Sequence, residues 1–97
     1  MLNYVGRDDV FVIMAYDFNE KRVQKALRIG RKYLTWVQNS LFEGEITFAK
    51  FEKLKAELKR IMDESEDSVK FYILESGKIL KSEILGVDKS QTAGFFL

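Results

Sequence analysis

The run Val10-Phe-Val-Ile-Met-Ala-Tyr16 constrains this chain more than any other stretch. It carries no charge, and its β-branched and aromatic content marks it as a strand. Its lack of alternation places that strand at the centre of a sheet, covered on both faces. Just beyond Asp17 the period changes. From Glu20 to Tyr33, at roughly 100° per residue, Val23, Ala26, Leu27, Gly30 and Leu34 point one way, while Lys21, Lys25, Arg28 and Lys32 point the other. Ile29 is the apolar residue off that stripe.

The remaining residues continue the alternation of elements. Thr35 to Gln38 and Leu41 to Ile46 read as short strands about an Asn39-Ser40 turn, with Glu43-Gly44 as the other place for a turn or bulge. Thr47 suits the N-cap of a second helix, with Ile46 and Phe51 spaced as a hydrophobic staple. Phe48, Phe51, Leu54, Leu58, Ile61 and Met62 form that helix's apolar stripe. The acidic run Asp63 to Asp67 ends it. Val69 to Glu75 is then a strand closed by Ser76-Gly77, and Ile79 to Leu85 is a last strand. The order predicts an α+β, ferredoxin-like β-α-β-β-α-β fold with an additional C-terminal strand, its antiparallel sheet carrying both helices on one face. Residues 1–9 form an N-terminal extension, 10–87 the domain, and 88–97 a C-terminal tail.

At 97 residues the chain is one domain, of a size that buries roughly 60 to 68% of its unfolded surface. It has neither Cys nor His, which excludes cysteine-based zinc sites, cysteine nucleophiles and Ser-His or Cys-His dyads. Catalysis would have to use carboxylates, a metal, Lys, Tyr or water. The net charge of +1 conceals two opposed clusters: Lys21 to Lys32 holds six basic residues and no acid, and Asp63 to Asp67 holds four acids. No apolar stretch approaches the ~20 residues that span a bilayer, and residues 1–9 are unlike a secretory signal. The expected location is cytoplasmic, without a membrane partner.

Two constellations carry chemistry. Asp17 stands where the apolar strand meets the basic helix, a position from which a carboxylate can hold a divalent cation beside bound phosphates. One carboxylate is a poor Mg²⁺ site alone, since that ion takes near-octahedral oxygen coordination, with one or two carboxylates plus waters and phosphate oxygens. A two-fold dimer that brings Asp17 from each protomer to its axis would supply the second. The cation would activate water against a phosphodiester. The plainer role for Asp17 is an N-cap or turn acid at the strand exit. The basic stripe is the second constellation: Lys21, Arg22, Lys25, Arg28, Arg31 and Lys32 span roughly 16 Å of helix at 1.5 Å per residue, enough to meet successive phosphates of a duplex. No cluster for reading base edges accompanies it, so contact with the nucleic-acid backbone should dominate. Tyr33, Trp36, Phe42 and Tyr72 suit a core or a dimer interface better than a base-stacking platform.

A strand ending in Tyr16-Asp17, a basic helix, and then Val37-Gln-Asn-Ser-Leu-Phe-Glu-Gly-Glu45 before a second amphipathic helix resembles the CRISPR-associated protein two family, over about Val10 to Leu85. Members are ferredoxin-like homodimers with metal-dependent nuclease activity on RNA or duplex DNA, and they bridge dimers of the adaptation integrase. Tyr16 and Asp17 match the family's strand-end pair, Arg22 a basic position of the first helix, and Gln38, Ser40 and Phe42 the strand motif. Trp36 stands where many members carry Arg, and Asn39 where an aromatic is frequent.

The resemblance implies a spacer-acquisition protein: a homodimer that binds duplex DNA, scaffolds the integrase, and carries a metal-dependent (Mg²⁺ or Mn²⁺) endonuclease centre with Asp17 as catalytic and metal-binding residue. Single-stranded RNA is a further expected substrate. The apolar terminus Phe95, Phe96 and Leu97 is expected to dock on the partner protomer or on the integrase. The alternatives are a stand-alone metal-dependent endoribonuclease of toxin type and a regulatory dimer that binds a small molecule.

Overall fold

The computed structural model describes residues 9–75 and 78–88. Strand β1 (Asp9–Asp17) is followed by helix α1 (Glu20–Tyr33), the hairpin β2 (Thr35–Gln38) and β3 (Leu41–Thr47), helix α2 (Phe48–Ile61), and strands β4 (Ser68–Glu75) and β5 (Lys78–Gly86). All strand pairs are antiparallel, in the order β2-β3-β1-β4-β5. This is the predicted ferredoxin-like sheet with its additional strand on the β4 edge. The N-terminal extension up to residue 8, the Ser76-Gly77 turn and the tail with Phe95, Phe96 and Leu97 lie outside the described residues. No helix among the described residues is long and apolar enough to cross a membrane.

Alternation along β1 sends Val12, Met14 and Tyr16 to the face that the helices cover, where they join Phe42, Val69, Phe71, Leu54 and Leu58 in one buried core. Phe51 meets Phe71 edge to face at 5.0 Å. Helix α1 approaches the sheet through its smallest residues, the buried Ala26 and Gly30. A Cβ on Gly30 would stand 2.7 Å from the Phe42 ring, so glycine is what lets the helix lie this close. Helix α2 starts on the expected cap, Thr47 Oγ1 accepting from the Lys50 N–H, whereas α1 starts on Asn19, whose side chain accepts from the Lys21 N–H.

Three expectations need correction. Phe48 is 55% exposed: it sits roughly 100° around the helix from the centre of the Phe51, Leu54, Leu58 and Ile61 stripe, and the stripe begins at Phe51. Ile29, off the predicted stripe, packs against the core nonetheless. The third concerns β1, which among the described residues is fully covered only on its helix side. On the other face Phe11 is 37% exposed, and it pairs with Leu74 while Ile13 pairs with Tyr72; Ile13, Tyr72 and Leu74 are half-buried.

Candidate nucleic-acid interface

Strand β1 delivers Asp17 to the end of the sheet, half-buried, opposite Ser68 of β4. The Ser68 hydroxyl is buried and has no hydrogen-bond partner among the described residues. Asp17 is not the cap of α1, because Asn19 holds that position. It lines instead an open cavity of about 350 Å³ between the start of α1 and the β2–β3 turn, together with Gln24, Leu27, Trp36, Asn39 and Ser40.

That turn is fixed by one carbonyl. Asn39 adopts φ 38°, in the left-handed region that Asn tolerates. Its oxygen accepts from the Tyr16 hydroxyl at 2.7 Å and from the Trp36 indole N–H at 3.0 Å. The neighbouring Ser40 carbonyl accepts from the Tyr16 N–H at 3.1 Å. Burial pushes the Tyr16 phenol above its ordinary value, against the opposing pull of Trp36 and Arg31, so at neutral pH it is a donor and not a base. Phe42 packs against Tyr16 at 5.6 Å and is fully buried. Gln38 is exposed, beside an irregularity in the β2–β3 register. Tyr16 and Ser40 thus line the cavity with Asp17 and Phe42 packs against Tyr16, whereas Gln38 stays outside the lining.

The basic residues of α1 divide into two groups. Lys21, Lys25, Arg28, Arg31 and Lys32 are exposed. Lys32 also pairs with Glu57 of α2, to which the Tyr33 hydroxyl donates; these contacts, Lys32 first, hold the Glu57 carboxyl below its ordinary range. Arg22 is bound differently. Its Nε donates to Asp67 at 2.6 Å and its terminal nitrogen to Glu66 at 2.7 Å. Asp67 has no exposed surface, and it also accepts from the Asn19 and Asp63 N–H groups, each at 2.8 Å. Burial alone would raise the Asp67 carboxyl, but Arg22 and the two backbone donors outweigh it and hold it below its ordinary range. Arg22 and Asp67 therefore pin α1 to the loop before β4. In the sequence Asp67 is one member of the acidic run that ends the second helix, and nothing local to that run marks the clamp.

The donors around Asp17 are oxygens: one carboxylate with the neutral groups of Ser40 and Asn39. That set fits a hard divalent cation that keeps most of its waters, and offers a softer metal no nitrogen or sulfur ligand from His or Cys. Among the described residues no three His, Cys, Asp or Glu side chains converge to hold a metal. A second carboxylate would have to come from another copy.

Residues 10–81 match the profile of the family described as "CRISPR associated protein Cas2". The chain belongs to this family. A relative from Thermotoga maritima, "CRISPR-associated endoribonuclease Cas2", is 55% identical over 90% of this chain and 100% of its own length. One of the same name from Dictyoglomus turgidum is 52% identical over 84% of this chain and 94% of its own length. A solved structure titled "Crystal structure of cas2" superposes with a TM-score of 0.68 at 40% identity, covering 84% of this chain and 92% of that one. Membership of the Cas2 family accords with the recognition made from Tyr16-Asp17 and the Val37–Glu45 motif.

Proposed function

We propose that the chain acts in CRISPR spacer acquisition as a homodimer that binds duplex DNA through paired α1 helices and scaffolds the integrase, with Asp17 as the metal-binding residue of a phosphodiesterase centre. The observation that carries this reading is the placement of Asp17, half-buried in an open cavity beside α1, whose Lys21–Lys32 stretch holds no acid. The partly open face of the sheet, with Phe11 and its apolar neighbours, supports burial against a second copy. Mg²⁺ or Mn²⁺ held between two Asp17 carboxylates would stabilise charge on the scissile phosphate and make water a nucleophile at neutral pH. The chain's own residues have simpler tasks: the basic face holds the phosphates, and Tyr16, bound to Asn39, fixes the strand end that carries Asp17.

RNA cleavage is the second reading, favoured by the name of the relatives, endoribonuclease. Wild type and Asp17→Asn should be compared on labelled duplex DNA and single-stranded RNA, with Mg²⁺ or EDTA, scoring binding and cleavage together. Metal-dependent cleavage lost in the variant with binding retained supports the centre. Duplex binding without cleavage in either protein leaves a scaffold and removes Asp17 from the chemistry. Cleavage that survives in Asp17→Asn sinks the assignment.

A further inference from the structure

Trp36 is 45% exposed, although the fold buries Phe42, its direct partner across the β2–β3 ladder, completely. The indole N–H is anchored on the Asn39 carbonyl, so the ring is held in place, and one part of it lines the cavity that contains Asp17. The Arg31 guanidinium lies 5.7 Å from the ring centroid. Along α1, Gln24 and Arg31 are seven residues apart and fall on one line of the helix, between the Lys21, Lys25 and Arg28 row and the cavity. A strand whose phosphates follow the basic row therefore passes the mouth of a pocket with an aromatic wall, an apolar floor at Leu27, and amide groups from Gln24 and Asn39.

We infer that this pocket is a nucleobase subsite, in which one unpaired base of a nucleic-acid strand stacks on Trp36 while Arg31 holds the adjoining phosphate. The inference rests on the nucleic-acid reading above and adds to it a preference for a locally unpaired strand beside Asp17. The ring suits a base because each base offers a π-face, and stacking on an aromatic side chain is tolerant of sequence. The amides on the rim can meet a base edge, whereas a phosphate would find no fixed cation inside the lining. The volume, about 350 Å³, is at the small end of ligand clefts, roughly 300 to 1,000 Å³. A duplex can reach Arg28 and Lys25 but cannot place a paired base against the ring.

Trp36 is the chain's one tryptophan, so its fluorescence reports on this pocket alone. The full-length protein, kept in EDTA to prevent cleavage, is titrated with a short mixed-sequence single strand, an abasic phosphodiester of the same length, and a blunt duplex. The single strand should quench Trp36, and the abasic strand should bind without quenching. Trp36→Ala should weaken the single strand by roughly 5- to 150-fold and leave the abasic strand within about twofold; Trp36→Phe should recover most of the loss, which a folding defect would not. Equal quenching by the abasic strand overturns the inference. So does wild-type affinity in both variants, or a Trp36 already shielded from acrylamide in the free protein, which would mean that another segment or a second copy fills the pocket. If no probe binds at all, the nucleic-acid reading itself fails; if only the base dependence is absent, the subsite fails and the basic helix and Asp17 stand.

Discussion

Asp17 and Asp67 stand at the same end of the sheet, one closing β1 and the other immediately preceding β4, yet they do opposite work. Asp67 is sealed from solvent and saturated by Arg22 and two backbone N–H groups. Asp17 is half-buried and faces a cavity. The same side chain is thus a structural clamp where it is sealed from solvent, and a candidate ligand where it borders an open cavity. Identity and sequence position do not separate the two; the surroundings do.

The largest effect that would break this contrast is on stability. Asp67→Ala removes the partner of Arg22 and of the Asn19 and Asp63 N–H groups in a part-buried setting, and a donor left unsatisfied there costs roughly 1 to 3 kcal/mol. The variant should lose about 3 kcal/mol, a drop in Tm of about 12 °C or more for a domain of this size. Asp17→Asn should stay within about 0.5 kcal/mol of wild type by thermal unfolding. If Asp17→Asn proves as destabilising as Asp67→Ala, both carboxylates are structural and the contrast collapses.

The second effect is on chemistry. In the proposed centre Asp17→Asn should lower metal-dependent cleavage by about 100-fold, or about 2.7 kcal/mol of transition-state stabilisation. A smaller loss would indicate that the residue only shapes the cavity. A third effect lies between the two sites. Gly30→Ala gains roughly 1 kcal/mol of helix propensity, but its Cβ would press on the Phe42 ring at 2.7 Å, and overpacking costs roughly 1 to 3 kcal/mol. Overpacking should win, for a net loss of about 1 kcal/mol in chemical denaturation. Phe42 touches Tyr16, so the disturbance should reach the Asp17 end of β1 and spare the Arg22–Asp67 clamp.

Periodicity and turn chemistry made most of the fold legible. The unbroken apolar run placed β1 at the sheet centre, the Asn39-Ser40 turn was read correctly, and Thr47 capped α2 as expected. The place of Asp17 at the end of the first strand was legible, because a charge there closes an uncharged apolar run. Asp67 was not, because the acidic run around it looks like a solvated segment, and the member that turns inward is chosen by Arg22, 45 residues away in sequence. The exposure of Trp36 was hidden for a related reason. An aromatic paired with a buried Phe suits a core or a dimer interface, but β2 is the edge strand of the sheet, so part of the ring reaches the surface of the single chain. Phe48 failed by angle alone. Local pattern settles which segments become strands and helices, whereas long-range contact settles which of their polar and aromatic side chains are used up by the fold.

The smallest expected effect is the pH dependence of the clamp, and its sign distinguishes the two aspartates. The folded-state value of Asp67 lies below its ordinary 3.8, with burial opposed and overcome by Arg22 and the two backbone donors. A carboxyl depressed by folding contributes stability that is fully present above its unfolded value and is lost as pH falls through its folded value. The stability difference between wild type and Asp67→Asn should therefore stay level from neutral pH down to about 5 and shrink progressively below about 4, as the unfolded and then the folded carboxyl bind protons. Urea unfolding of the two proteins across that range measures it. A difference that instead narrows between pH 8 and 6 would tie the stabilisation to some other titrating group. A difference that persists unchanged well below pH 3 would mean that Asp67 acts through shape and neutral hydrogen bonds, so that its charge, and with it the pairing to Arg22, contributes little to holding α1 in place.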